Sequence, residues 1–161
     1  MKEKLKNLTQ KVKTRLKKQS IKTIAVCAAQ VPFRTGGAEE HVHALISELK
    51  KRDYQVQLIN IPFKWYPHSQ LFNSMKIWEM IDLTESDGQK IDLVISTKFP
   101  SYFINHPNKV LWLIHQYRQA YDLLDTPFSG FNLKSSNDKK TWERFVKDDT
   151  AALKKYKRIF T

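Results

Sequence analysis

Short apolar runs alternate with amphipathic segments along most of this chain. Four runs are rich in apolar residues, and all but the second are almost continuously apolar, as strands buried on both faces of a parallel sheet are. They span residues 23–29, 55–61, 91–96 and 109–115. A fifth run begins at Arg158 and reaches the last residue, Thr161. The pattern predicts five strands, the last of which is cut short by the end of the chain.

Three segments between these runs carry apolar residues at helical spacing. They are residues 38–51, 70–83 and 139–157, and Ser136, Asn137 or Asp138 is placed to cap the last of them. Strands separated by helices are typical of βαβ units with right-handed crossovers. The sequence therefore predicts an α/β domain over residues 22–161, with a Rossmann-like parallel sheet and flanking helices.

A different pattern occupies residues 1–21. Apolar positions recur there at spacings of three and four among lysines: Leu5, Leu8, Val12 and Leu16. From Lys2 to Lys22 nine basic residues accompany one acidic residue, which accounts for eight of the twelve net positive charges. The pattern predicts a basic amphipathic helix that can lie on an anionic membrane surface. The alternative is a solubilising leader whose few leucines touch the domain.

Composition narrows the compartment and the partners. One cysteine, Cys27, lies inside the first apolar run, so no disulfide can form within the chain and a reducing, cytoplasmic compartment is favoured. No apolar run is long enough to span a membrane. The net charge of +12 suits an anionic partner, but it is concentrated in the leader and no known nucleic-acid motif occurs. A nucleic-acid partner is therefore not expected.

Ligands of parallel sheets bind beyond the carboxyl ends of the strands, here residues 30–37, 62–66, 97–102 and 115–121. Gly36 and Gly37 lie in the first of these segments, where a strand turns into a helix whose amide groups can hold an anion. The dinucleotide and P-loop glycine patterns are absent, so no nicotinamide or ATP site of the standard kind is predicted. His41 and His43 point to different faces of one helix, and no metal site is expected there.

Three stretches of the sequence resemble motifs of a known protein family. They are Pro32-Phe33-x-x-Gly36-Gly37-Ala38-Glu39, Asp92-Leu93-Val94-Ile95-Ser96-x-x-Phe99-Pro100, and Trp112-Leu113-Ile114-His115-Gln116-Tyr117-Arg118. Together they resemble the amino-terminal domain of GT-B glycosyltransferases of family 4, over about residues 22–161. Members of that family transfer a sugar from a nucleotide donor to an acceptor with retention of configuration. Their two Rossmann-like domains face each other across a cleft, and the amino-terminal one mainly takes the acceptor.

The resemblance implies roles for the two glycines and for His115, and position after a strand indicates three further residues. Gly36 and Gly37 would lie in the cleft, close to the donor diphosphate and the acceptor. His115 would be the catalytic residue beside the reacting sugar, where it bonds a hydroxyl or assists the departing charge; its alternative is a strand-end histidine satisfied by the backbone. Lys98, Tyr117 and Arg118 follow strand ends and would bind phosphate or stack on a sugar.

The family's donor-binding half, with its Glu-x7-Glu motif, does not occur in this sequence. The expectation is an acceptor-side half that is inactive without a donor-binding domain, which a separate chain could supply. It needs no cofactor besides the nucleotide-sugar. A lipid-linked or cell-envelope acceptor would suit the basic leader at the inner face of a membrane. The alternatives are a non-catalytic binding module with the same fold and a basic nucleic-acid-binding protein.

Overall fold

The computed structural model describes residues 21–161, so the helix predicted in the leader lies outside the described residues. The main elements are β1 (Thr23–Gln30), α1 (Gly37–Lys50), β2 (Gln55–Pro62), α2 (Ser69–Met80), β3 (Glu85–Ser86), β4 (Gln89–Lys90), β5 (Leu93–Lys98), β6 (Lys109–His115), α3 (Ser136–Lys154) and β7 (Ile159–Phe160). Short 3-10 turns follow β5 and β6, at Ser101–Phe103 and Arg118–Ala120.

The predicted α/β architecture with a parallel sheet and flanking helices is confirmed. Five strands pair in parallel in the order β2-β1-β5-β6-β7. Side chains alternate across β1, so that Ile24 and Val26 pack against α1, while Ala25 and Cys27 join the larger core beneath α2 and α3. Apolar side chains on both faces explain why the strands are nearly continuous apolar runs.

Two local features differ from the prediction or go beyond it. The last helix is capped by Ser135, whose hydroxyl accepts a hydrogen bond from the Asp138 amide at 3.4 Å. Ser136 is already helical, so the three predicted capping residues all lie inside the first turn. The predicted turn at Asp87 and Gly88 joins β3 to β4 in a two-residue hairpin, and both residues have positive φ, as such turns require.

The order of the strands creates a crevice beside β1. The chain leaves β1 through α1 to reach β2 on one side, and returns through α2 to β5 on the other side. The connections that follow β1 and β5 therefore diverge, and ligands of open α/β sheets bind at such a point. Across the next pair, Lys98 of β5 and His115 of β6 are register partners at the same carboxyl edge. None of the helices in residues 21–161 combines the length and apolarity needed to cross a membrane.

Candidate functional site

A pocket of about 460 Å³ opens at the carboxyl edge of the sheet. The segments after β1, β2, β5 and β6 form it, together with the first turn of α1. Its lining includes the six residues singled out in the sequence: Gly36, Gly37, Lys98, His115, Tyr117 and Arg118. The structure thus brings together residues from three separate stretches of the chain, and their individual roles stay predictions.

Aromatic rings form the floor of the pocket. Phe63 and Phe99 meet edge to face with their centroids 5.6 Å apart, and the Tyr117 ring lies 5.4 Å from that of Phe99. Trp65 continues this surface beside Phe63. The Tyr117 hydroxyl donates to Oε1 of Gln119, and burial raises the pKa of this phenol well above its ordinary value. Tyr117 is therefore a neutral core residue that presents part of its ring to the pocket.

The two glycines of the turn leave open space in front of α1. Gly36 is the N-cap with extended backbone (φ −149°), and neither glycine lies in the left-handed region. A Cβ added to Gly37 would meet no atom within 4 Å. The fold itself thus does not require glycine at this position. The absence of a side chain keeps the approach to the helix start clear.

A partly buried ion pair occupies the groups that would otherwise meet an anion at the start of α1. The ammonium of Lys98 lies 2.6 Å from Oε1 of Glu39, and the Gly36 amide donates to Oε2 at 2.9 Å. The Lys98 and Glu39 side chains are only 12% and 18% exposed. Burial alone would raise the pKa of Glu39, but the hydrogen bond and charge of Lys98 outweigh it, and the pKa is lowered. The start of α1 is therefore already occupied by an anion, the Glu39 carboxylate.

The His115 ring uses one nitrogen in a backbone hydrogen bond and leaves the other available. Its Nδ1 lies 2.7 Å from the carbonyl oxygen of Gln116. Because a carbonyl only accepts hydrogen bonds, Nδ1 must carry the proton, and Nε2 of the neutral ring is an acceptor. Nε2 has no hydrogen-bond partner within residues 21–161. The backbone contact therefore fixes the tautomer and still leaves an acceptor on a half-buried ring that lines the pocket.

The segment after β6 is held in place by Asp149 of α3. This fully buried carboxylate accepts hydrogen bonds from Gln116 Nε2 at 2.8 Å, from Tyr121 Oη at 2.7 Å and from the Tyr102 hydroxyl. Burial, reinforced by Asp149, raises the pKa values of both phenols, so they remain protonated donors. Between these anchors, Arg118 is exposed and pairs with Asp122 at 2.7 Å.

Several pocket residues were not selected in the sequence, among them Arg34, Phe63, Trp65 and Gln119. Phe63 and Trp65 lie in one of the expected strand-end segments, but an aromatic residue there could equally belong to the core. The role of Glu39 was also missed, because it was assigned only to the helix dipole. Its partner Lys98 is 59 residues away, and local spacing carries no signal of such a pair.

No metal cluster is found in residues 21–161, since three or more His, Cys, Asp or Glu side chains never group suitably there. Cys27 is fully buried in β1, and burial strongly raises the pKa of its thiol. Comparison with protein-family models, with curated proteins and with solved structures gives no match.

Proposed function

We propose that this chain is the acceptor-side half of a retaining glycosyltransferase that uses a nucleotide-sugar donor. The observation that carries the proposal is the convergence of the glycine turn, Lys98 and residues 115–118 on one pocket. The glycine turn and His115 are named by the resemblance to the family 4 amino-terminal domain, and Lys98, Tyr117 and Arg118 are the strand-end residues expected to bind phosphate or sugar. Their meeting at the carboxyl edge of a parallel sheet is the arrangement that such a cleft needs.

The chemistry of the pocket suits a sugar acceptor. Sugar rings have apolar faces, and the half-buried rings of Phe63 and Trp65, next to the buried Phe99 and Tyr117, offer a surface for stacking. Nε2 of His115 can accept a hydrogen bond from a sugar hydroxyl, and its protonated form can stabilise negative charge on a departing group. The Gln116 and Gln119 side chains add amide groups at the rim.

The donor's diphosphate would approach from outside the pocket. Lys98 is neutralised by Glu39, and Arg118 already pairs with Asp122, so Arg34 is the pocket cation without a carboxylate partner among residues 21–161. Groups that hold the nucleotide would come from a donor-binding domain outside these 161 residues. We therefore expect no sugar transfer by the 161-residue protein alone, and no cofactor besides the nucleotide-sugar.

The acceptor that best suits this proposal is lipid-linked or part of the cell envelope. The basic leader would then hold a cytoplasmic protein at the inner face of an anionic membrane. Deletion of residues 1–20 should weaken co-sedimentation with vesicles that contain phosphatidylglycerol. Unchanged co-sedimentation would contradict the role given to the leader.

Acceptor binding can be tested by titrating the ¹⁵N-labelled protein with methyl glycosides of common hexoses. We expect amide shifts at Gly36, Gly37 and Tyr117, and we expect His115→Ala to weaken them. His43→Ala is the matched control, because His43 is exposed on α1 away from the pocket lining. Shifts spread over the surface, or equal losses in both variants, would contradict a sugar site here.

Transfer can be tested through the DNA that follows the codon of Thr161. A frame that encodes a second Rossmann-like domain with Glu-x7-Glu should, when co-expressed, restore transfer from a nucleotide-sugar, and His115→Ala should abolish it. Turnover by the purified chain alone would overturn the assignment as half an enzyme. Failure of transfer with a folded donor-binding domain would also count against it.

A non-catalytic binding module is the second candidate, and one observation favours it. The Glu39–Lys98 ion pair satisfies within the chain the groups that would meet a donor phosphate. Sugar-induced shifts without transfer in the co-expressed pair would support this candidate. A nucleic-acid-binding protein would instead bind RNA or DNA with an affinity that falls steeply with salt.

A further inference from the structure

Phe33 stands out as a bulky side chain placed where the backbone favours glycine. The Arg34 amide donates to the Val31 carbonyl at 3.3 Å, which closes a turn with Pro32 and Phe33 in its middle. Phe33 has a φ of +63° and is completely exposed. A positive φ is costly for an aromatic residue, and this ring makes no compensating contact inside the described fold. The arrangement indicates a contact outside residues 21–161.

Two more exposed aromatic residues lie on neighbouring loops of the same edge. Tyr66 is 58% exposed and follows Trp65, which lines the pocket. Phe128 is 72% exposed and precedes Ser129, whose hydroxyl donates to the backbone carbonyl of the pocket residue Gln119. Phe33, Tyr66 and Phe128 therefore lie on three loops that each contain or contact a pocket-lining residue, and we call them the aromatic rim.

Unpaired positive charge accompanies the aromatic rim. Arg34 and Lys64 have no carboxylate within 4.0 Å among residues 21–161, and the Lys64 ammonium lies 4.8 Å from the centre of the Tyr66 ring. Against these two cations, the three loops (residues 31–36, 63–68 and 125–130) carry one acid, Asp125. The rim thus combines separate aromatic side chains with a surplus of basic ones.

We propose that the aromatic rim and its two cations form a docking surface for an anionic lipid bilayer. Aromatic side chains lodge singly at the interface of a bilayer, and lysine and arginine beside them reach the phosphate groups. A protein partner would instead need a contiguous apolar patch. Here the three rings lie on three separate loops, each of which also carries polar or charged residues. The inference goes beyond the proposed function, in which only the leader touches the membrane, and it does not require sugar transfer.

Docking through this edge would place the mouth of the pocket at the headgroup layer. A ligand carried by a lipid could then reach the aromatic floor without leaving the interface. The opposite edge, where α2 ends at Met80, would face away from the bilayer. Met80 is 83% exposed but lies in a different part of the fold, so it provides a matched control for the loss of an exposed apolar side chain.

The test compares full-length variants that all retain the leader. The triple variant Phe33→Gly, Tyr66→Ser, Phe128→Ser should partition roughly tenfold less onto vesicles of phosphatidylcholine with phosphatidylglycerol, because three apolar insertions are lost. Met80→Ser should bind like the wild type. Phe33→Gly alone should weaken binding while it raises the denaturant midpoint, which separates a lost contact from lost folding. Equal binding by the triple variant would overturn the proposal.

A second measurement tests directly whether the aromatic rim contacts the bilayer. Cys27 is buried, so an environment-sensitive fluorophore can be attached selectively at Phe128→Cys or Met80→Cys. Anionic vesicles should shift the emission to the blue at position 128 and leave it unchanged at position 80. Equal shifts, or none, would overturn the proposal. The proposal would also be overturned if the triple variant kept its vesicle binding but lost concentration-dependent self-association. Loss of RNA binding with intact vesicle binding would overturn it in the same way.

Discussion

Asp149 and Glu39 each tie a segment of the pocket to the rest of the domain, but their surroundings differ. Asp149 is wholly buried and is satisfied by three neutral donors from the segments after β5 and β6. Glu39 is partly exposed at the pocket wall and is satisfied by a cation and an amide. The Asp149 arrangement holds the segments after β5 and β6 from inside the core. The Glu39 arrangement places an ion pair in the lining of the pocket.

The different surroundings of the two carboxylates suit different roles, one in stability and one in binding. A buried carboxylate with three donors cannot be removed without leaving several polar groups unsatisfied. A partly exposed ion pair contributes less to stability, because water competes for both partners. We therefore expect Asp149 to matter mainly for folding and the surroundings of Glu39 mainly for what the pocket accepts. Four predictions test this division of roles between Asp149 and Glu39, in order of decreasing effect.

The largest effect is expected for Asp149→Ala. It leaves Tyr102, Tyr121 and Gln116 without their acceptor and should lower the free energy of unfolding by roughly 3–5 kcal/mol. Urea denaturation measures this. The control is Asp148→Ala, one residue away on α3 and partly exposed, which should cause no measurable loss. Similar losses in the two variants would remove the special role of Asp149.

A smaller loss is expected for Lys98→Met. It leaves the Glu39 carboxylate without its cation and should lower the free energy of unfolding by about 1–3 kcal/mol, discounted for partial exposure. Lys51→Met is the control, because the Lys51 ammonium pairs with Glu48 on the open surface of the domain. An unchanged denaturant midpoint for Lys98→Met would show that the pair contributes nothing to stability.

The same pair predicts a dependence of stability on pH. The pKa of Glu39 is lowered below its ordinary value of 4.5, so between these two values the unfolded chain binds more protons than the folded one. Stability then rises with pH in that interval. The contribution is present above 4.5 and is lost as the pH falls through the lowered folded pKa. Glu39→Gln should flatten this part of the midpoint-against-pH curve, and identical curves would contradict the assignment.

The smallest change in stability is expected for Gly37→Ala. The position is helical and open, so alanine should raise the free energy of unfolding by about 0.5 kcal/mol. The new methyl group should nevertheless weaken the shifts caused by methyl glycosides. Gly88→Ala is the contrasting control, since a φ of +74° should make it destabilising. Weakened sugar binding with intact stability would place the ligand against the glycine turn.

Much of the fold could be predicted from the sequence, because strands and helices leave local marks. Apolar runs located the five strands of the main sheet, and Leu71, Met75 and Trp78 are the buried face of α2. The strand-end segments also located the pocket, since the carboxyl ends of parallel strands share one edge. The hairpin of β3 and β4 was foreseen only as a turn, because two-residue strands are too short to show a period.

Local patterns in the sequence specify the order of the elements, the parallel sheet and the edge at which the pocket opens. These properties follow from periodicity and chain direction, which are local. Only the tertiary structure decided that Lys98 meets Glu39 and that Asp149 gathers three donors. It also decided that Phe33 is left outside the fold. Those contacts depend on which strands are neighbours and how the loops turn, and charge or aromaticity at one position does not specify its partner.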